Sequence, residues 1–200
     1  LENRKYYFIM LLVLLECMAP FFLVFEGRRP KARELVIIAV LCALGVAGRA
    51  AFFMLPQFKP VMAIAIIAGV AFGGETGFLV GAMSMLTSNI LFGQGPWTPF
   101  QMFSWGMIGF FSGLLAPLLR RSRIALCIWG GIGGVLYSFL MDIWTVLWAD
   151  GYFNLPRYFA AIASAVPVTA VYVVSNILFL LVLAKPIGKL LARMKTKYAL

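Results

Sequence analysis

Long apolar runs alternate with short basic clusters along this chain, and that alternation restricts it to one environment. Arg28, Arg29, Lys31 and Arg33 form the first cluster. Arg120, Arg121 and Arg123 form the second, and Lys185, Lys189, Arg193, Lys195 and Lys197 the third. A charged side chain is costly in hydrocarbon, and loops rich in Lys and Arg stay on the cytoplasmic side of a membrane. The clusters fall at every second boundary between apolar runs, so all three occupy one side. The pattern predicts an integral membrane protein and its orientation. The runs lack the period-two alternation of membrane strands, so the fold class is an all-α membrane protein.

Composition agrees. The 200 residues are 63% hydrophobic and 12% charged, against about 45–50% and about 25% in a soluble domain. One polytopic helical domain fits. The net charge of +10 does not point to nucleic acid, because it sits in short loops and a tail beside apolar spans, where inner-leaflet lipid accounts for it. There is no His, and Cys17, Cys42 and Cys127 are scattered within apolar runs. That leaves no metal-ligand set and no disulfide framework. Gly73-Gly74-Glu75-Thr76-Gly77 lacks the lysine of a phosphate-binding loop, so ATP hydrolysis by this chain is not expected.

Seven runs are candidates for spanning helices, which need about 20 residues, the third of them being short. They are Tyr6–Phe25, Leu35–Phe53, Val61–Phe72, Thr76–Phe92, Phe100–Leu119, Ile124–Trp148 and Tyr158–Ala184. With the first cluster inside, the Pro56–Pro60, Gly93–Pro99 and Ala149–Arg157 loops face outside. The Gly73–Glu75 turn, the Arg120–Arg123 turn and the C-terminal tail face inside. The first run is the exception, since it places Arg4 and Lys5 outside. It reads as an accessory helix over residues 1–27 rather than a signal peptide, because Glu16 precedes Cys17 where a small residue belongs. Residues 28–189 form the main membrane domain and 190–200 a basic cytoplasmic tail.

The outer loops carry amides and aromatics among Pro and Gly: Gln57, Lys59, Gln94, Trp97, Thr98, Gln101 and Asn154. Rigid turns of this kind can present such groups to a ligand. An interfacial aromatic belt is the plainer reading for Trp148, Tyr152 and Tyr158. Within the spans, Arg49 and Asp142 need explaining, and three accounts stand: an ion pair, contact with a polar ligand, or snorkelling of Arg49. Asn89, near the outer end of its helix, is a candidate site residue, whereas Asn176 reads as an interhelical hydrogen bond. Ala39, Ala43 and Ala47 recur every fourth residue on one helix face. Gly130, Gly131, Gly133 and Gly134 offer a second close-packing surface.

From about Arg33 to Lys189 the chain resembles the substrate-binding S components of energy-coupling factor (ECF) transporters. The resemblance rests on size, on six core helices with both ends inside, and on the Ala39-x-x-x-Ala43 stripe. Gly48-Arg49-Ala50-Ala51-Phe52, Phe58-Lys59-Pro60-Val61 and the stretch from Gly93 to Met102 look like the S components of cobalamin uptake. The resemblance implies a six-helix S-component-like bundle with an additional N-terminal hydrophobic helix, in a bacterial cytoplasmic membrane. It implies capture of a vitamin, cobalamin first, from outside, and release inside after docking on a transmembrane coupling subunit and two cytoplasmic ATPases. In that family the alanine stripe is the docking face; here it comprises Ala39, Ala43 and Ala47. The expected site joins Gln57, Gln94, Trp97, Thr98, Gln101 and Asn154 over Trp105, with Arg49, Lys59, Asn89 and Asp142 as further candidates. No catalytic residue, metal ligand or resident cofactor is expected. An S component for another vitamin, a self-sufficient secondary transporter, an intramembrane enzyme and a purely structural or assembly membrane protein are the alternatives.

Overall fold

The computed structural model describes residues 5–198; Arg4 and the Lys5 side chain lie outside its described part. Among the described residues there are eight helices and no strand. They are α1 (Lys5–Gly27), α2 (Ala32–Ala51), α3 (Val61–Phe72), α4 (Gly74–Phe92), α5 (Thr98–Leu114), α6 (Ala116–Arg121), α7 (Arg123–Asp150) and α8 (Leu155–Tyr198). By length and composition α1, α2, α7 and α8 are able to cross a membrane. The all-α membrane fold expected from the sequence is therefore present.

Two boundaries differ from expectation for local reasons. The expected span Phe100–Leu119 is divided, α5 stopping at Leu114 and α6 starting at Ala116. Pro117 lies in the first turn of α6, where its missing N–H is tolerated; inside a continuous helix it would remove a hydrogen bond and clash. The last span does not stop at Ala184. It runs on as α8 through the basic segment to Tyr198, across Pro167 and Pro186.

α3 is the centre of the bundle. It is apolar all round, and such a helix is buried on every side. Each residue from Val61 to Gly69 is buried. α4 and α5 close on it backbone to backbone. A Cβ on Gly109 of α5 would lie 2.1 Å from the Gly77 carbonyl oxygen of α4, and one on Gly81 would lie 2.4 Å from that of Trp105. Only glycine permits this approach, and it sets the height of Trp105 against α4. The glycine-rich start of α7 contacts α8 less severely: Gly130 faces the end of the Leu180 side chain.

α1 is docked on the bundle. Leu14, Met18 and Phe25 are buried, and the Phe21 ring stacks on Phe78 with centroids 4.0 Å apart. Glu16 lies on the opposite, exposed face of α1. The outward face of α2 presents Ala39, Ala43 and Ala47 exposed, while Ile37, Ile38, Leu41, Cys42 and Gly45 are buried.

The three basic clusters converge on one end of the bundle. Arg28 pairs with Glu34 and, at 3.1 Å, with Glu75 at the start of α4. Arg120 Nε donates to the Val70 carbonyl at 3.0 Å, and Lys195 Nζ to that of Ala71 at 3.4 Å. The Arg33 guanidinium lies 5.1 Å from the Tyr198 ring centroid. The segments 52–60, 93–97 and 151–154 occupy the other end.

Candidate ligand-binding cavity

At the end opposite the basic clusters, α2, α3, α4, α5, α7 and α8 enclose a cavity of about 240 Å³. Five of the residues singled out from sequence line it: Arg49, Gln57, Lys59, Gln101 and Trp105.

Arg49 reaches the cavity from the last turn of α2. One guanidinium nitrogen, Nη1, donates to Ser88 Oγ and to Asn89 Oδ1, each at 2.7 Å. The guanidinium also sits 5.3 Å from the Phe92 centroid, within cation–π range. Asn89 is fully buried and acts as the junction. Its Nδ2 donates to Thr98 Oγ1 at 3.0 Å and to Gln101 Oε1 at 2.7 Å. Thr98 donates in turn to Gln94 Oε1 at 2.8 Å. Gln101 Nε2 donates to the Tyr137 hydroxyl at 3.2 Å. Arg49, Asn89, Thr98, Gln94 and Gln101 are thus one hydrogen-bonded set. Arg49 and Gln101 face the cavity, and the others brace them from behind.

Aromatic residues line the cavity beside this set. Trp105 and Tyr137 meet edge to face at 5.5 Å, and Tyr137 and Tyr172 at 5.0 Å. The Tyr172 hydroxyl donates to Gln57 Oε1 at 2.7 Å. Gln57 has φ of 59°, a left-handed conformation uncommon for a residue with a side chain. The turn that turns its amide toward Tyr172 therefore carries backbone strain. Lys59 closes the same turn. Its ammonium donates to the carbonyls of Phe52, Phe53 and Leu55 at the end of α2. Burial, and then the neighbouring charge of Arg49, pushes this amine below the usual lysine range. The Lys59 backbone is tied to Ser175 of α8 in both directions, at 3.0 and 3.1 Å.

Three other candidates are placed differently. Trp97 packs edge-on against Trp144 at 5.9 Å, over Gly95, and does not line the cavity. It clamps the 93–97 turn onto α7. Asn154 begins α8: its Oδ1 accepts from the Arg157 N–H at 3.2 Å, satisfying one of the open donors at a helix start. Asp142 is buried on α7 outside the cavity lining, and its Oδ2 has no hydrogen-bond partner among the described residues. Among those residues no ion pair joins it to Arg49; Ser88 and Asn89 take the guanidinium instead.

Tyr137, Tyr172 and Asn176 also line the cavity, with Met62, Met85 and Phe92. Tyr137 and Tyr172 are not among the residues singled out from sequence, and Asn176 is there a structural residue. A signal was there, since a tyrosine hydroxyl within a span needs a partner. Asn176 serves two purposes. Its Nδ2 donates to the Gly130 carbonyl at 2.9 Å, the interhelical role expected of it, while the residue also borders the cavity.

The chain is similar to a UPF0397 protein of Aliivibrio fischeri strain MJ11, 33% identical over 98 residues, which is 46% of this chain and 52% of that protein. It is similar to a UPF0397 protein of Vibrio atlanticus strain LGP32, at 33% identity over 98 residues, 46% of this chain and 53% of that protein. The likeness to one of Aliivibrio salmonicida strain LFI1238 is 34% over 98 residues, covering 52%. The chain thus spans about half the length of the curated relatives it matches. No solved structure matches it. The family described as "ECF-type riboflavin transporter, S component" matches residues 30–193, from the first basic cluster to the third. That match takes in α2 through most of α8, every helix bordering the cavity, and the chain belongs to this family.

Proposed function

We propose that this multi-pass membrane protein is the substrate-binding subunit of an ECF-type importer, and that the cavity beneath Gln57 and Arg49 is its vitamin site. The observation that carries the reading is a cavity whose lining joins braced polar groups, Arg49 and Gln101, to an aromatic cluster, Trp105, Tyr137 and Tyr172. A flat heteroaromatic vitamin has an edge of alternating carbonyl and N–H groups and two apolar faces. Amide and guanidinium groups match the edge, and aromatic rings match the faces.

Size favours riboflavin over cobalamin. Pockets for drug-sized ligands are about 300–1,000 Å³, and this cavity is about 240 Å³. A corrinoid is several times larger than riboflavin and would require the whole 52–60 segment to swing out. The family description, which names riboflavin transport, supports the same choice. The positive-inside rule supports a cavity that opens to the outside and an α8 C-terminus in the cytoplasm, and the importer reading implies a bacterial inner membrane. Energy then comes from two ATPases through a transmembrane coupling subunit. The exposed Ala39, Ala43 and Ala47 form a smooth face on α2 onto which a partner helix fits closely.

Quenching of riboflavin fluorescence by the purified chain in detergent tests the ligand. Saturable quenching that Arg49→Ala and Trp105→Ala abolish is the expected result. Retention of a corrinoid with no response to riboflavin would overturn it. Co-purification of the coupling subunit, lost in Ala43→Trp, tests the partner.

A further inference from the structure

The basic end of the bundle holds a second and larger cavity, of about 600 Å³. It exists because α3 is short. Twelve residues rise only about 18 Å, against a hydrocarbon thickness of about 30 Å. Below the last turn of α3 there is consequently a space, bounded by α6, the start of α7 and the end of α8. Its floor is apolar: Ile67, Val70, Leu119, Leu126 and Ala184. Its rim is five cations, Arg120, Arg121, Arg123, Lys185 and Lys195, with no acidic residue in the lining. All five are exposed. On α8 the floor continues through Gly188 and Ala192, one and two turns beyond Ala184. A Cβ added at Gly188 would meet nothing within 4 Å, so the space above it is open.

Arg120 is already fixed at the mouth. Its Nε and Nη2 donate to the Val70 carbonyl and Nη2 also to that of Ala71, which satisfies the end of α3. Those contacts leave the Nη1 donors to point elsewhere.

We propose that this groove binds one anionic phospholipid of the inner leaflet, with its phosphate among the rim cations and the top of its acyl chains on the apolar floor. Charge complementarity selects the head group, and the floor selects a molecule with a hydrocarbon portion directly below its phosphate. An acidic helix of a partner protein fits less well. A helix is about 10 Å across, so 600 Å³ would accept only about 8 Å of its length, less than two turns. Basic pockets between helices on the cytoplasmic side are suited to such lipids. The site is at the opposite end from the vitamin cavity, and the inference does not depend on the identity of the vitamin.

Native mass spectrometry of the full chain, titrated with phosphatidylglycerol or phosphatidylcholine, tests this. One phosphatidylglycerol should be retained preferentially. A cation near the membrane surface is worth about a fivefold change in affinity, so Arg121→Gln with Lys185→Gln should weaken retention about thirtyfold. Both positions are exposed, so this variant should fold. Gly188→Leu, which fills the groove and leaves every charge in place, should also abolish retention, while quenching of riboflavin stays unchanged in both variants. Equal retention of the two lipids, or retention of phosphatidylglycerol unaltered by the double variant, would overturn the proposal. So would a photo-crosslinker on Gly188→Cys that captures a polypeptide rather than lipid in native membranes.

Discussion

Asn89→Leu is the most incisive test of the cavity wall. The substitution nearly conserves volume, so little void is created, and what is lost is three hydrogen bonds: one from Arg49 and one each to Thr98 and Gln101. The three partners are not equally harmed. Thr98 keeps its bond to Gln94 at 2.8 Å, and Arg49 keeps Ser88 at 2.7 Å. One guanidinium N–H and Gln101 Oε1 are left without their partner. A stranded buried polar group costs about 1–3 kcal/mol, and a charged one falls toward the top of that range. Water entering the adjoining cavity relieves part of this, so the loss of stability should be about 2–4 kcal/mol. Ligand affinity should fall further than stability implies, because Arg49 and Gln101 both turn away from the geometry Asn89 imposes. Thermal unfolding and riboflavin quenching should be measured for Asn89→Leu, Gln101→Ala and the double variant. Residues in one network couple by about 0.5–3 kcal/mol, so the double variant should lose less than the sum of the single losses. Additivity to within about 0.5 kcal/mol would show that Asn89 does not hold Gln101, and the account of the wall would fail. Asn89→Asp should fall between, since it keeps the acceptor for Arg49 and the Gln101 amide can rotate to donate.

Other substitutions separate positioning from contact. Gly109→Ala puts a methyl 2.1 Å from the Gly77 carbonyl oxygen; α5 must move away from α4, at a cost of about 1–3 kcal/mol, and an unchanged melting temperature would contradict the backbone contact. Trp97→Ala should lower thermal stability by about 3 kcal/mol through loss of the clamp on Trp144, yet leave riboflavin affinity within about twofold; a large loss of affinity at unchanged stability would restore Trp97 as a ligand contact. Lys59→Met removes the shared donor from three carbonyls at the end of α2, so amide exchange over Phe52–Leu55 should accelerate, and protection equal to the parent would rule out that role. Tyr172→Phe frees the Gln57 amide and should cost about 1 kcal/mol of binding, read as a change in dissociation rate rather than in melting temperature.

Much of this architecture is written in one-dimensional pattern. Hydropathy and basic clusters are enough for the membrane class, the helical fold and the common end of the three clusters, because the cost of charge in hydrocarbon acts on each segment independently of its neighbours. The same holds for Arg49 and Asn89, whose polarity within apolar spans marked them before any contact was known. Local chemistry would also have divided α5 from α6, since Pro117 is visible in the sequence. Partnership is a different matter. Whether Arg49 meets Asp142 or Asn89 depends on helix rotation, and that is decided by which faces pack. Gly77, Gly81 and Gly109 bring α4 and α5 into backbone contact, and this close approach, invisible in any single segment, is what sets Trp105 at the cavity. Tyr137 and Tyr172 lie 35 positions apart in sequence and become one wall only through the pairing of α7 with α8. The sequence alone determined that the chain is a helical membrane protein with its basic clusters at one end, because those follow from the free energy of transferring each segment. The tertiary structure decided which polar groups share a cavity, because that follows from packing between segments distant along the chain.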